Sequence, residues 1–314
     1  MRRSLSVLFR KEVADHLHSW RFNILIALIV LTTLASLYTA AQTIRSVVPQ
    51  ADQPLGDTGL FLKLFTTTDG KLPSFVAFVG FLAPLLGLGM AFDAISSERN
   101  KGTLVRLLSQ PIYRDDVILA KWFAALSVVG VFFLALGFIV MGLGLFVFGI
   151  PPTAEEVLRI VFFLLVTAVY VAVWQSLAIL FSIRFRQAAT SVLAGLSVWL
   201  FFSLFYPMIV NLIAPITGRG TVDDVLREIG RHQFLSRLSP VTLYEEATTI
   251  LLSPDVRALG PFTLEQAIGA IPTPLPFDQS LLLIWPQIAG LVAMSVVLFG
   301  LSFVLFMRQD IRGR

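Results

Sequence analysis

Residues 93–121 read Asp-Ala-Ile-Ser-Ser-Glu-Arg-Asn-Lys-Gly-Thr-Leu-Val-Arg-Leu-Leu-Ser-Gln-Pro-Ile-Tyr-Arg-Asp-Asp-Val-Ile-Leu-Ala-Lys. This is a short charged island between two long hydrophobic runs. A charge at the centre of a bilayer costs roughly 2.5–3.5 kcal/mol on insertion scales. Glu98, Arg99, Lys101, Arg106, Arg114, Asp115 and Asp116 therefore belong outside the hydrocarbon. Within the island Leu104, Leu107 and Leu108 recur at helical spacing. Their apolar face is too short to span a membrane. It reads either as a surface helix that docks another protein or as a plain loop with one helical turn.

The runs on either side of the island set the class. Of 314 residues, 56% are hydrophobic and only 14% charged, where soluble domains carry about 25% charged residues. A helix crossing the roughly 30 Å core needs about 20 apolar residues. Six stretches qualify: Phe22–Gln42, Pro73–Ile95, Val117–Phe148, Val157–Ile183, Ala188–Ala214 and Leu283–Met307. The expectation is an all-α, polytopic membrane protein forming one transmembrane domain over residues 1–314. The third stretch is long enough to tilt, or to break near Gly137, Gly142, Gly144 and Gly149. The fourth opens on Thr153-Ala-Glu-Glu156, a capping box.

Six spans place both termini on one side, and Lys and Arg decide which side. The leader holds Arg2, Arg3, Arg10, Lys11 and Arg21. The island adds Arg99, Lys101, Arg106, Arg114 and Lys121. Arg184 and Arg186 mark the next turn on that side, and Arg308, Arg312 and Arg314 the C-terminus. These are 15 of the 24 basic residues on a minority of the non-membrane chain. Both termini and residues 93–121 are expected in the cytoplasm. The net charge of +4 is spread by loop, so it is a topology signal and does not point to nucleic acid.

Residues 1–21 carry Leu5, Phe9, Val13, Leu17 and Trp20 near one helical face, with Arg10, Lys11, Asp15 and His18 mostly opposite. That is the pattern of a helix lying in the headgroup plane; an ordinary basic leader is the alternative. The run that follows is too long for a cleavable signal. Residues 215–282, before the last span, are expected outside as short helices that cap the mouth. Ser239-Pro240 and Thr263-Leu-Glu-Gln266 mark two helix starts, and Ile271–Pro276 reads as an extended connector.

Several chemistries find no residues. There is no Gly-x-x-x-x-Gly-Lys-Ser/Thr, no His-Glu-x-x-His and no Gly-x-Ser-x-Gly, so neither ATP binding, zinc nor a serine nucleophile follows by those devices. His16 and His18 point about 200° apart on a helix, a poor metal pair. Cysteine is absent. The span interiors hold almost no ionisable side chain, which argues against an ion-coupled carrier. Thr32, Ser36, Thr39 and Thr43 share one face of the first span. They form either a mildly polar cavity wall or hydroxyls bonded to their own helix. Gln175 lies mid-span and needs a partner in lipid, so it is expected to face protein or cavity. Ser191 and Gly195 make a small-xxx-small pair suited to a close helix crossing, within the chain or between copies.

Together the leader, the island and the six-span layout resemble the permease subunits of ABC-2 type ABC transporters. The matching residues are Phe9-Arg-Lys-Glu12, Asp93-Ala-Ile95, Glu98, Gly102-Thr-Leu104, Leu107-Leu108, Pro111, Arg114 and Ile118-Leu-Ala-Lys121. Ser239-Pro-Val-Thr-Leu-Tyr244 is also similar to such permeases. The pattern is similar to the branch that includes the permease for maturation of the copper centre of nitrous-oxide reductase. The resemblance implies a prokaryotic inner-membrane exporter subunit with no catalytic residues and no cofactor of its own. ATP and Mg would be bound by a separate P-loop ATP-binding subunit, and a second permease copy would complete a homodimer or heterodimer. It implies that Glu98, Arg99, Gly102, Thr103, Leu104, Arg106, Leu107, Leu108 and Pro111 form the coupling helix, with the leucines in an apolar cleft of the ATPase. A membrane scaffold that moves nothing, or a secondary carrier, are the rivals. The variable segment 215–282 carries no substrate identity. An uncharged interior points to a lipid, amphiphile, drug or peptide.

Overall fold

In the computed structural model, residues 3–47, 60–68, 70, 72–149, 151–218, 221–253 and 275–309 are described. The elements run α1 (Arg3–Leu17), α2 (Trp20–Val47), α3 (Leu60–Thr66), α4 (Phe75–Ala91), α5 (Ser96–Asn100), α6 (Thr103–Leu108), α7 (Arg114–Phe148) and α8 (Ala154–Arg184). They continue with α9 (Ala188–Leu200), a π-helical turn at Phe201–Phe205, α10 (Tyr206–Ile213), α11 (Val222–Ser236), α12 (Pro240–Leu252) and α13 (Phe277–Arg308). Among the described residues there is no strand. Six helical stretches there are long and apolar enough to cross a membrane: Trp20–Ile44, Phe75–Asn100, Arg114–Phe146, Ala154–Arg184, Ala188–Ile213 and Phe277–Arg308. The chain is an all-α, multi-pass membrane protein.

α8 is the axis of the bundle. Nine consecutive residues, Val171–Ile179, are buried, and a helix apolar all round is a core helix. It packs against α4, α7, α12 and α13. Glycine permits the closest approach. A Cβ on Gly87 of α4 would lie 2.9 Å from the Val171 carbonyl oxygen and 3.2 Å from the Gln175 nitrogen of α8. Ser191 and Gly195 of α9 are buried, and a Cβ on Gly195 would stand 2.8 Å from Leu88 Cδ2 of α4. The close crossing made by this pair lies within the chain.

Local signals explain the ends. Thr153 accepts from the Glu156 nitrogen and Glu156 returns the bond, closing the capping box that starts α8. Ser239 accepts from the Val241 nitrogen ahead of Pro240 at the start of α12. A third box, Thr221 with Asp224, starts α11. The third span does not break at its glycines. α7 runs unbroken to Phe148 and stops at Gly149, whose φ of 69° suits glycine. The fifth span does deform. Pro207 has no N–H to return to Ser203, and a π-helical turn covers Phe201–Phe205 just before it. Helix α3 is a seven-residue addition that hydropathy did not mark. Residues 263–266 and 271–274 lie outside the described residues.

The helices before the last span reach deeper than a cap. Tyr244 of α12 stacks on Tyr170 of α8 with centroids 4.2 Å apart and planes 10° from parallel. Tyr170 stands about 21 Å along α8 from Arg184 and about 24 Å from Ala154, at 1.5 Å per residue. α12 therefore runs alongside the middle of the span. Its far end meets Arg159, which is 1% exposed. The Arg159 guanidinium donates to Glu155 at 2.8 Å and to the carbonyls of Leu251 (3.1 Å) and Leu275 (2.5 Å), with Ser280 Oγ at 3.1 Å. One arginine thus joins α8, α12 and α13. Hydropathy had shown nearly no ionisable residue in the spans; Arg159 is tolerated because every side of it meets an acceptor.

Gly87→Ala would force a methyl group onto backbone atoms of α8. Thermal unfolding in detergent should show a loss of about 1–3 kcal/mol. Gly130→Ala, with nothing within 4 Å of the added Cβ, should melt at or slightly above the parent temperature.

Candidate functional site

The island becomes two short helices. The chain leaves α4, turns through residues 92–95, forms α5, reverses at Gly102 in the left-handed region (φ 69°) and forms α6. Ile95 stands at the N-cap of α5 and offers no side-chain acceptor. Ser182 of α8 supplies it: its Oγ accepts from the nitrogens of Ile95 at 2.9 Å and Ser96 at 3.1 Å. Arg99 Nη2 donates to the Ile183 carbonyl at 2.9 Å and to Gln309 Oε1 at 3.2 Å. Asn100 donates to the Arg186 carbonyl at 2.9 Å, and Arg114 to the Gln309 carbonyl at 3.2 Å. These bonds sew the island to the ends of α8 and α13.

Beneath it lies a charge network. Lys121 Nζ, its side chain 7% exposed, sits 3.0 Å from Glu12 Oε1 of α1 and 2.7 Å from Glu98 Oε1 of α5. Lys11 extends the network to Glu12 and Asp15, each at 3.0 Å. Arg21 pairs with Asp93 at 2.5 Å and lies over the Phe92 ring. Ser4 donates to the Asp116 carboxylate. Burial acts to raise the Glu12 carboxyl, but Lys121 and Lys11 outweigh it and hold it below its ordinary value of 4.5. Burial lowers His16 of the same helix, and the neighbouring Glu12 only partly opposes that.

This network helps set the orientation of α1. Its inward face centres on Leu8 and Glu12, one turn apart, because Glu12 must meet Lys121. Leu5 and Val13 flank that face, while Leu17 and Trp20 are 51% and 77% exposed. Of the island residues, Glu98 through Oε1 and Arg99 through Nη2 bond partners inside the chain, while the buried Glu98 Oε2 has no hydrogen-bond partner among the described residues. Leu104 is 0% exposed and Leu107 packs against the same core. The helical spacing of these leucines gave them a common face but not its direction, and the chain's own core takes it. The surface left outside carries Lys101, Thr103, Val105, Arg106 and Pro111, with Gly102 half-buried at the reversal.

The three threonines of the polar face of α2 are bonded to their own helix, while the buried Ser36 hydroxyl has no hydrogen-bond partner among the described residues. Thr32 donates to the Leu28 and Ile29 carbonyls, Thr39 to Ser36 and Thr43 to Thr39; Ser36 is fully buried. Gln175 is also buried and donates to the Trp122 carbonyl at 2.7 Å, tying α8 to α7. Sequence reasoning missed Ser182 and the Glu12–Lys121 pair. Both are ordinary residues until the fold sets them opposite distant atoms. Among the described residues no group of three or more His, Asp or Glu is placed to hold a metal ion.

Comparison with known proteins agrees with this layout. The sequence model of the family described as ABC-2 family transporter protein matches residues 6–311. Over 244 residues the chain is 25% identical to the probable ABC transporter permease protein NosY of Pseudomonas aeruginosa, covering 75% of this chain and 78% of the relative. Over 239 residues it is 26% identical to the protein of the same name from Stutzerimonas stutzeri, covering 74% and 81%.

Replacing Lys121 with Met removes the buried cation shared by Glu12 and Glu98 and leaves the half-exposed Lys11 as their remaining counter-charge. This should destabilise the protein by about 3–5 kcal/mol, read as a drop in melting temperature, and Glu12→Gln in the same chain should recover part of it. Acid should act on the same contact. The folded Glu12 pKa is depressed, so its contribution is complete above pH 4.5 and is lost as the pH falls through the lower folded value. Protease sensitivity of α1 should rise in that acidic range, and the rise should be absent in Glu12→Gln.

Proposed function

The chain belongs to the ABC-2 family of transporter proteins, and from that premise we propose that this transmembrane permease is driven by a separate P-loop ATP-binding subunit, in the direction of export. The observation that carries the coupling is the α5–α6 island. It hangs directly between two membrane-crossing helices, α4 and α7, and is tied to α1, α8 and α13 by the bonds described above. A push on such an element moves the spans attached to it as rigid bodies. The exposed face of Val105, Arg106 and Lys101 is the docking surface, and the inward Leu104 and Leu107 transmit the force to the core. Glu98 and Arg99 serve as internal anchors of the island. Gly102 gives the reversal between its two helices, Thr103 opens α6 and donates to the Glu98 carbonyl at 3.2 Å, and Leu108 and Pro111 close the element.

The excess of Lys and Arg on this side supports a cytoplasmic location for the island and both termini, and the family reading sets them in a prokaryotic inner membrane. A second permease copy covers the part of the fifth span where Leu193, Met208, Leu212 and Ile213 are exposed. ATP and Mg belong to the partner; this subunit supplies the path and no catalytic residue. The names of its relatives do not decide its cargo, and a largely uncharged interior favours an amphiphile over a small hydrophilic ion.

Val105→Asp combined with Arg106→Glu tests the coupling. With the co-expressed ATP-binding subunit, the double variant should melt as the parent does yet lose co-purification of that subunit and its stimulated ATP hydrolysis. A subunit that stays bound and stimulated overturns the assignment.

A further inference from the structure

In the half of the bundle away from the island, a groove opens between α3, α4, the π-helical turn and α12. Its floor is the α12 face beside Tyr244, at the level of mid-α8. Gly80 of α4 allows this approach: a Cβ there would stand 3.2 Å from the Tyr244 ring. Glu245 projects from the same turn of α12 and lines the groove. Among the described residues its carboxylate has no ion pair and no hydrogen bond. Elsewhere the acidic groups at this depth are engaged; the adjacent Glu246 meets Arg237 at 2.9 Å and Gln287 at 2.9 Å. An ionisable side chain at membrane depth without a partner is costly, and such residues mark ligand pathways.

The hydroxyls around Glu245 define what could satisfy it. Thr66 Oγ1 donates to the Leu62 carbonyl at 3.1 Å. Thr248 donates to the Tyr244 carbonyl at 2.9 Å, and Thr249 to the Glu245 carbonyl at 2.7 Å. Thr167 gives its proton to the Phe163 carbonyl, so the 2.9 Å contact between Thr167 and Tyr244 uses the Tyr244 proton. Each hydroxyl has one proton, and those of Thr66, Thr248, Thr249 and Tyr244 are committed. What these side chains keep for the groove is lone pairs, beside a carboxylate that is acceptor-only. No Lys, Arg or His is among the described lining residues. The rest of the wall combines Ser74, Ser203 and Ser253 with apolar residues. Phe81, 52% exposed, offers a ring steadied edge-on by Trp199 at 4.8 Å, and Leu204 of the π-helical turn stands opposite on the rim.

We propose that this groove is a binding site for an amphiphilic cation, an alkylammonium-type ligand whose N–H donors meet Glu245 and the threonine lone pairs while its apolar body lies along Phe81 and Leu204. The ring face of Phe81 adds attraction for a cation, and among the described lining residues no cationic side chain stands ready to pair with an anion. The site narrows the cargo of the exporter to cationic amphiphiles. That step rests on the exporter reading; the binding itself does not.

The test uses full-length protein in phosphatidylcholine nanodiscs without ATP or the ATP-binding subunit. The probes are dodecylammonium, dodecanol and dodecanoate, with binding to empty nanodiscs subtracted. The expected order is dodecylammonium tightest and dodecanoate weakest. Glu245→Gln should weaken dodecylammonium by about tenfold or more, the scale of one charge-assisted hydrogen bond, and leave dodecanol unchanged. Glu245→Asp should keep most of the preference. Equal binding of the three probes, or a preference that survives Glu245→Gln, overturns the site. So does dissociation of an oligomer by Glu245→Gln, which would make the carboxylate a contact between copies. Absence of a cation preference in the parent protein, with the ATP-binding subunit still co-purifying in a separate preparation, removes this site alone. Preference retained with no such subunit removes the exporter reading and leaves the site standing.

Discussion

The structure depends most on one buried cation. Lys121 sits near one end of α7 with a carboxylate from α1 at 3.0 Å and another from α5 at 2.7 Å. Alone, any of the three would be expensive to remove from water, and Lys121 is the member that both carboxylates share. Together they fix where three separate pieces of chain meet. α1 is held against α7 by Glu12 together with Leu8, while Leu17 at its end remains exposed. α5 is held under the bundle by Glu98, and Ser182 caps its start from a different span. Short helices of this length do not persist on propensity; these exist because distant residues complete their hydrogen bonds.

A second polar hub balances the first at the other end. Arg159 is buried as deeply as any aromatic residue in the core and binds α8, α12 and α13 to one another. Close by, Glu156 closes its own capping box and also accepts from the Phe61 nitrogen at 3.1 Å, which brings in α3. Between the two hubs, contact is mainly apolar and set by small residues. Lipid offers no hydrophobic drive to join helices, so close packing and interhelical hydrogen bonds do that work. Gly87 against Val171 and Gly195 against Leu88 are the packing part, and Gln175 on the Trp122 carbonyl is the bonding part.

Sequence patterns revealed the parts of this fold that local physics decides. The six spans follow from apolar length, and the starts of α8 and α12 follow from Thr153–Glu156 and Ser239–Pro240. The two halves of each hub are another matter. Lys121 and Glu12 are 109 residues apart, and Arg159 meets acceptors up to 121 residues away, so no window of sequence contains either contact. Leu104 and Leu107 show a different kind of gap. Their spacing defines a face but is silent on whether that face turns to the core or to a partner. α12 was legible as a helix, while its depth was not, because depth is set by Tyr244 stacking on Tyr170.

These hubs bear on how a signal from the island could reach the groove around Glu245. α4 serves both: its last turn leads into α5, and Gly80 and Phe81 form part of the groove wall. Pro84 lies between them inside the helix, where a missing N–H weakens the ladder and allows a bend. Gly87 presses α4 onto α8 one turn further along, so a shift of α5 cannot slide α4 freely past that crossing. It must rotate α4 about the contact or take α8 with it. α8 in turn carries Ser182 at the island end and Tyr170 against α12 at mid-depth, so either response alters the spacing between α4 and α12. The groove is bounded by those two helices, and its width is therefore the dimension that a displacement of the island changes first.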